Sequence, residues 1–469
     1  MPERDSLAGK RVVVFGFGRG GKALARWLPT AGAEVTITDS RSAKELGLRR
    51  RDFPGVRFQL GGHRNEVLDG ARCVCVSGGV PLDLPVLKLA RRRGIHFTND
   101  AQLFIERCPA PVIGITGSAG KTTTTVLVAS IVKRAGYKVW LGGNIGNPLI
   151  GDLPRIKAND IVVMELSSFQ LELMTRSPQV GAVLNLTPNH LDRHGSFESY
   201  ASAKANILRY QGPGDVAVLG WDDEGSRSLE QIVAGELLAF SQYEMMPDGA
   251  FMLGGRLLVA GSASYNASPH VVCERNDIPL RGDHNVLNVL AACAITGSMG
   301  LAIDRPGLAP DVMQEAIRAF SPIEHRLETV RSLKGVAWVN DSIATAPERT
   351  LAALASYDEP LVLLIGGTDK DLPWEAAMSF ALRKARHIIV FGDDGDKQVS
   401  TKVMKLLSKM RVGDGKVSRA QTLEQAVEKA AEVAKAGDVV LLSPGGTSYD
   451  AYEDFAERGD HFRQLVSQL

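Results

Sequence analysis

Gly114-Ile115-Thr116-Gly117-Ser118-Ala119-Gly120-Lys121-Thr122-Thr123-Thr124 is the stretch on which the reading of this chain turns. It has the look of a phosphate-binding loop in an unusual register. In the common pattern G-x-x-x-x-G-K-[ST] the first glycine lies five residues before the second. Here that place is Ile115, and the glycines stand at 114 and 117 instead. The surroundings favour a nucleotide site. A β-branched run, "PVIGITG" (111–117), precedes the loop, and a helical pattern follows from about Gly120. Gly117 and Gly120 let the backbone turn its N–H groups toward phosphate oxygens. Lys121 supplies a cation to the outer phosphates, and Thr122 a hydroxyl able to ligate Mg²⁺. The competing reading is a glycine turn with a solvated lysine. A run of threonines directly behind that lysine argues against it.

Outward from the loop, short apolar runs alternate with helical patterns. "RVVVFG" (11–16), "AEVTITD" (33–39) and "CVCVSG" (73–78) read as buried parallel strands. "DIVVMEL" (160–166) and "VGAVLNL" (180–186) continue the set begun at 111. "GVAWVND" (335–341), "PLVLLIGG" (360–367), "HIIVFG" (387–392) and "GDVVLLS" (437–443) form a third set. Such alternation predicts an α/β protein with parallel sheets. The 469 residues exceed what one core usually holds. Proline-marked breaks at "ERCPAP" (106–111) and "FSPIEHR" (320–326) place three domains at 1–108, 109–321 and 322–469. Weaker alternation over 220–280 predicts antiparallel strands there.

Composition excludes several classes. The formal net charge is +1, so no global field draws the chain to nucleic acid or a membrane surface. The five cysteines fit neither a zinc site nor a disulfide framework. Cys73 and Cys75 are expected on one side of one strand. The N-terminus lacks the apolar core of a signal peptide, and no apolar run is read as approaching the roughly 18 residues of a membrane span. A cytoplasmic protein is expected.

Gly16-Phe17-Gly18-Arg19-Gly20-Gly21 fits G-x-G-x-x-G after a strand, with Asp39 ending the next strand. Alone, this suggests a nicotinamide dehydrogenase. The glycines require only that a diphosphate approach a helix N-terminus, and a UDP-sugar offers the same group. A turn with no ligand is the third reading. Farther on, Glu165 ends a buried strand, and "NLTPNHLDRH" (185–194) gathers His190, Asp192 and His194. Mg²⁺ takes oxygen ligands and keeps several waters. Glu165 and His190 are favoured for a site, whereas Asp192 and His194 read individually as solvated loop residues.

In order along the chain come "GITGSAGKTTT", "ELSSFQLE", "NLTPNHLDRH", "YASAKANI" (200–207), "GDHNVLN" (282–288), "HRLE" (325–328), "NDSIATAP" (340–347), "GGTDKDL" (366–372) and "SPGGTSYDAYEDFAERGDHF" (443–462). The sequence resembles the ATP-dependent Mur ligases of peptidoglycan synthesis, over almost its whole length and most weakly at 220–280. Within the family it is similar to the branch that adds glutamate to UDP-N-acetylmuramoyl-L-alanine. The family's phosphate loop has the short spacing found here.

The resemblance implies a UDP-binding Rossmann-like domain, a central ATPase domain and a C-terminal Rossmann-like domain that binds the amino acid. It implies UDP rather than NAD on the first loop, with Gly18, Arg19, Gly20 and Asp39 near the nucleotide and Asn144 along the muramoyl substrate. ATP would use Gly117, Gly120, Lys121, Thr122, Thr123, Asn288, Arg326 and Asp341, with closure of the domains completing its site. Lys204 matches the family's carbamylated lysine. Two Mg²⁺ ions are implied, one near Thr122 and Glu165 and one near His190 and Lys204. Lys121, Glu165, His190 and Lys204 would carry catalysis, and Thr345, Lys370, Ser448 and Phe455 would hold glutamate. The partners implied are small molecules acting on a monomer, without nucleic acid or membrane insertion.

Several positions depart from the family pattern. Ile343 stands where lysine is usual and Ala346 where asparagine is, Ala119 replaces an asparagine, and Gly78 replaces a proline. The change at 343 keeps L-glutamate as an alternative to D-glutamate. Other readings are a dehydrogenase, a non-catalytic nucleotide-binding scaffold and an enzyme like folylpolyglutamate synthase.

Overall fold

The computed structural model describes residues 5–261, 267–303, 308–321, 324–410 and 415–469. The chain divides into two compact units, residues 1–278 with 287–320, and residues 279–286 with 321–469. The first unit holds two sheets. Strands β1 (Arg11–Phe15), β2 (Glu34–Asp39), β3 (Arg57–Leu60), β4 (Ala71–Val76) and β5 (His96–Thr98) form a parallel sheet in the order β3-β2-β1-β4-β5. The β1 sequence is apolar at consecutive positions because both faces are covered. Val12 and Val14 join Cys73 and Cys75 in one core, and Val13 and Phe15 join Val74 and Val76 in another. The two cysteines thus share a face, as expected. Strand order reverses around β1 and β4, and the glycine turn after β1 opens at that crevice.

The second sheet of this unit contains β6 (Val112–Thr116), β7 (Val139–Gly143), β8 (Ile161–Glu165), β9 (Val180–Val183), β10 (Val216–Gly220), β11 (Glu236–Ser241), β12 (Gly249–Leu253), β13 (Arg256–Gly261) and β14 (Ala267–Glu274). Their order is β14-β13-β12-β11-β10-β9-β6-β8-β7. The antiparallel region expected over 220–280 is smaller than that. Parallel pairing continues through β10, β11 and β12, and only β12-β13-β14 form an antiparallel meander. Residues 262–266 of this region lie outside the described residues. The expectation about apolar runs also needs correction. The helical stretch Asp283–Leu301 is long and apolar enough by composition to cross a membrane, but 78% of it is buried inside the protein, as a core helix would be.

In the other unit β15 (Glu328–Leu333), β16 (Val336–Asn340), β17 (Leu361–Gly366), β18 (Ala385–Phe391), β19 (Val417–Ala420) and β20 (Val439–Gly445) run in the order β15-β16-β20-β17-β18-β19. All neighbours are parallel except β15 with β16. The C-terminal helix Phe455–Gln468 buries Phe462 and Val466 in the core that contains Trp338. Each such side chain contributes about 1.5–3 kcal/mol. The proline at 322 that marks the second sequence break lies outside the described residues.

The turn after β1 depends on glycine at one position above others. A Cβ on Gly21 would lie 1.9 Å from the Gly16 carbonyl oxygen, inside the turn itself. Gly21→Ala is therefore expected to destabilise the first sheet by at least about 2 kcal/mol, the range of overpacked interiors. A thermal melt measures this, and an unchanged transition would mean that the turn relaxes around the methyl group.

Candidate functional site

Functional side chains collect at the carboxyl ends of β6, β7, β8 and β9, where parallel strands deliver their loops. The loop after β6 returns to the sheet through backbone bonds. Ala119 N–H donates to Asn185 Oδ1 at 2.8 Å, and Asn185 Nδ2 donates to the Ala119 carbonyl at 3.2 Å. Because both use the Ala119 main chain, the side chain lost at 119 is not needed for this bracing. Ser118 Oγ bonds the Thr187 carbonyl and the Tyr200 hydroxyl, each at 2.9 Å. Gly120 has φ +82°, and a Cβ there would lie 2.2 Å from Asn288 Oδ1. Asn288 is thus packed against the base of the loop, where Thr124 Oγ1 also donates to its side chain at 3.4 Å. Thr123 is buried one residue earlier.

Two lysine amines meet on one carbonyl. Lys121 Nζ and Lys204 Nζ each donate to the Gly117 oxygen at 2.9 Å. Lys204 comes from helix Phe197–Arg209, is buried, and donates also to Thr116 Oγ1 at 3.0 Å. Burial pushes its amine well below the ordinary lysine range, and the charge of Lys121 pushes the same way, while Glu165 opposes. Burial therefore disfavours the charged form of the Lys204 amine relative to a solvated lysine. A solvated helix lysine, the reading from sequence alone, does not describe it.

Glu165 ends β8 and is buried. Its Oε2 accepts from Thr122 Oγ1 at 2.8 Å and its Oε1 from Asn144 Nδ2 at 2.6 Å. This buried carboxylate with a hydroxyl beside it is an oxygen donor set that suits Mg²⁺, which adds waters and phosphates to one or two protein oxygens. His190 has φ +54° and sits 5.1 Å from the Phe169 ring. His194 stacks on the same Phe169 ring, 5.3 Å between centroids, and hydrogen-bonds with Ser168 Oγ at 3.0 Å. It is packed rather than solvated, which corrects the loop reading. The Asp192 side chain lies outside the described residues. Gly78 has a physical reason as well. A Cβ there would lie 3.2 Å from Phe169 Cβ, so a larger residue crowds this aromatic group.

At the first glycine turn Gly18 caps helix Arg19–Thr30, and Arg19 donates to the carbonyls of Gly146 and Asn144 at 3.0 and 3.3 Å. A Cβ on Gly20 would sit 3.3 Å from Asp100 Oδ1. Asp39 is buried and accepts from Phe17 N–H at 2.7 Å and from the Arg41 main chain and guanidinium. Burial works to raise the Asp39 carboxyl, but the bonds from Arg41 and Phe17 together leave it below the usual carboxylate range. Arg41, half-exposed at this edge, was not singled out from sequence.

Asp341 follows β16 and accepts from Ser443 Oγ at 2.9 Å and Leu327 N–H at 3.3 Å. The charge of Arg326 reaches both Asp341 and His284. Lys370, after β17, donates to Thr345 Oγ1 at 3.4 Å. Ser448 is buried after β20, and the Phe455 carbonyl accepts from Ser342 Oγ at 2.7 Å. Sequence reading missed Arg458, a buried guanidinium that donates to Ser342 Oγ, the Ser342 carbonyl and the Gly446 carbonyl at 3.0, 2.9 and 3.1 Å. Its place in "FAERGDHF" was a quoted motif, but nothing local marks that arginine as buried.

Residues 10–99 match the model of the Mur ligase MurD-like N-terminal domain, residues 115–296 the Mur ligase middle domain, and residues 325–446 the Mur ligase glutamate ligase domain. A UDP-N-acetylmuramoylalanine–D-glutamate ligase of Clostridium botulinum (strain Langeland) is 36% identical over 469 residues, spanning 99% of this chain and 98% of that relative. Among solved structures, UDP-N-acetylmuramate-alanine ligase of Thermotoga maritima is 21% identical with a TM-score of 0.60, over 98% of this chain and 99% of that one. The MurF ligase of Thermotoga maritima in complex with ADP is 18% identical with a TM-score of 0.57, over 100% and 97%. These structures share the fold.

Burial raises the Asp341 carboxyl from its ordinary 3.8 to about 7, against Ser443, Arg326, Leu327 and Arg349, which lower it. A carboxyl raised on folding favours the folded state below its unfolded value, and that contribution is lost as pH rises through the folded one. Against Asp341→Asn, the wild type is expected to match at pH 4 and to fall behind by up to about 4 kcal/mol above pH 7. The difference in melting temperature across that window measures it. A gap that does not change with pH would contradict the buried-carboxyl account.

Proposed function

Because the chain belongs to the Mur ligase family, we propose that it is the ATP-dependent ligase that joins D-glutamate to UDP-N-acetylmuramoyl-L-alanine in peptidoglycan precursor synthesis. The observation that carries this is the convergence of Lys121, Lys204, Thr122 and Glu165 at the ends of β6 and β8, in a chain whose relative of that name is similar along its whole length. The relative's name favours D-glutamate over the L-glutamate alternative. Residues 1–108 would take the nucleotide end of the acceptor, 109–321 ATP and 322–469 the amino acid, in a monomer acting on small molecules.

A carboxylate is a poor acyl donor because its charge and resonance repel a nucleophile. Transfer of the ATP γ-phosphoryl group to the alanine carboxylate gives an acyl phosphate and ADP. The amine of glutamate attacks the acyl carbon, and the tetrahedral adduct expels phosphate as the amide forms. In this chain the Lys121 amine would exchange its loop carbonyls for phosphate oxygens, and the N–H groups of 117–122 would hold those oxygens in place. Thr122 and Glu165 would hold Mg²⁺, with a second ion near His190 and Lys204. Bound there, Mg²⁺ would offset negative charge shared by phosphate and carboxylate. Asn144, held on Glu165, would fix the carboxylate toward the acceptor.

Lys204 would act as a carbamate. A neutral amine adds CO₂ and releases a proton to become a carboxylate-like anion, and burial that favours the neutral amine assists that addition. Lys204→Ala is expected to lose at least about a hundredfold in kcat, and a short carboxylic acid to restore part of it. Full activity of the variant without added acid would remove Lys204 from the mechanism.

For the whole reading, phosphate release is measured with ATP, Mg²⁺ and UDP-N-acetylmuramoyl-L-alanine, with D- or L-glutamate supplied in parallel. Release that needs D-glutamate is the expected outcome. Release with L-glutamate alone would transfer the chain to the variant branch, and none with either would end the assignment.

A further inference from the structure

The loop Asp341–Ala346 leaves β16 and leads into helix Pro347–Ala355. Three cations from separate elements surround it. Arg458 is buried, and its Nε and Nη2 donate to Ser342 and the Gly446 carbonyl while its Nη1 has no hydrogen-bond partner among the described residues. Lys370 is exposed and reaches Thr345 Oγ1 at 3.4 Å. Arg349, half-buried on the first turn of the helix, folds back so that its NH1 donates to the Ile343 carbonyl at 3.2 Å. Among the described residues Arg349 enters no ion pair, though its charge is felt at Asp341. A guanidinium bonded to one carbonyl keeps most of its N–H donors, in a fork whose geometry matches a carboxylate.

The position nearest to that fork, Ile343, is apolar and supplies no charge. Glutamate carries two carboxylates, and Lys370 is one cation. On the ligase reading above, on which this inference rests, a second cation at this loop would complement the other carboxylate. We propose that Arg349 is that cation, receiving one carboxylate of the incoming glutamate while Lys370 receives the other. Arg349 thereby determines the preference for a dianionic amino acid.

The experiment is steady-state kinetics of the full chain with ATP, UDP-N-acetylmuramoyl-L-alanine and D-glutamate, for wild type, Arg349→Ala, Arg349→Gln, Arg349→Lys and the double variant Ile343→Lys/Arg349→Ala. Arg349→Ala and Arg349→Gln are expected to raise KM for glutamate by at least about tenfold, the usual loss of a charge-assisted bond. KM for ATP and for the acceptor should stay within about twofold. Arg349→Lys should retain most of the affinity, and lysine at 343 should recover much of what Arg349→Ala loses. Arg349→Gln keeps a donor for the Ile343 carbonyl, so it decides the matter even where the alanine variant folds poorly. Wild-type KM in Arg349→Gln would reduce Arg349 to a loop tether and overturn the proposal, as would a rise confined to KM for ATP. Glutamate-dependent release by the wild type separates the two failures. Its absence strikes the ligase reading, whereas its presence with an unaltered Arg349→Gln strikes only the role of Arg349.

Discussion

The Gly117 carbonyl, shared by the amines of Lys121 and Lys204, is the point on which the central site is organised. Two ammonium groups cannot both approach one oxygen in a buried space without strong repulsion. The less solvated amine gives up its proton more readily, and Lys204 is the buried one. One carbonyl therefore holds two lysines in different surroundings, with burial and the charge of Lys121 both working against a charged amine at 204. The differentiation needs the loop fixed in place, and the bonds from Asn185, Thr187 and Tyr200 do so.

Parallel strands explain why such groups meet. A strand whose two faces are buried can carry polar side chains only at its ends, and in a parallel sheet the carboxyl ends share one edge. Glu165 and Asn144 follow adjacent strands β8 and β7, and Lys121 follows β6 on the other side of β8. In the second unit the same rule gathers Asp341, Lys370 and Ser448 after β16, β17 and β20, which are neighbours in the sheet. Each site is thus a by-product of how an apolar strand must end.

That rule also separates what the sequence reveals from what it hides. Apolar runs such as Val12–Phe15 and Leu361–Ile365 announce buried central strands because neither face can tolerate a charge. The edge strands β3, β5 and β19 are short and half-exposed, so their runs carry too little periodicity to be read. The phosphate loop was legible because glycine, lysine and threonine stand together. Tyr200, Asn185, Arg41 and Arg458 were not, since each acts through a partner brought near only by folding. Arg349 sits six residues from the carbonyl it binds, and helical spacing alone does not suggest that its side chain folds back across the helix start. The antiparallel strands expected within 220–280 are β12, β13 and β14, while β11 in the same stretch pairs in parallel because alternation alone does not distinguish the two kinds of neighbour.

Asp39 carries the same reasoning to the first sheet. An acid at the end of the second strand reads from sequence as a ribose ligand, which is the dinucleotide signature. Here both its oxygens are engaged, one by Arg41 and the other by Phe17 N–H and Arg41 together. The bond to Phe17 fixes the glycine turn against β2, so the carboxylate builds the turn before it meets any ligand. Its charge is balanced by a guanidinium that remains half-exposed at the rim. The polar edge beside the glycine turn is therefore an ion pair rather than a bare carboxylate, able to present donors as well as acceptors. The same two sequence features, a glycine turn and an acid, thus give different polar edges according to what stands two residues beyond the acid.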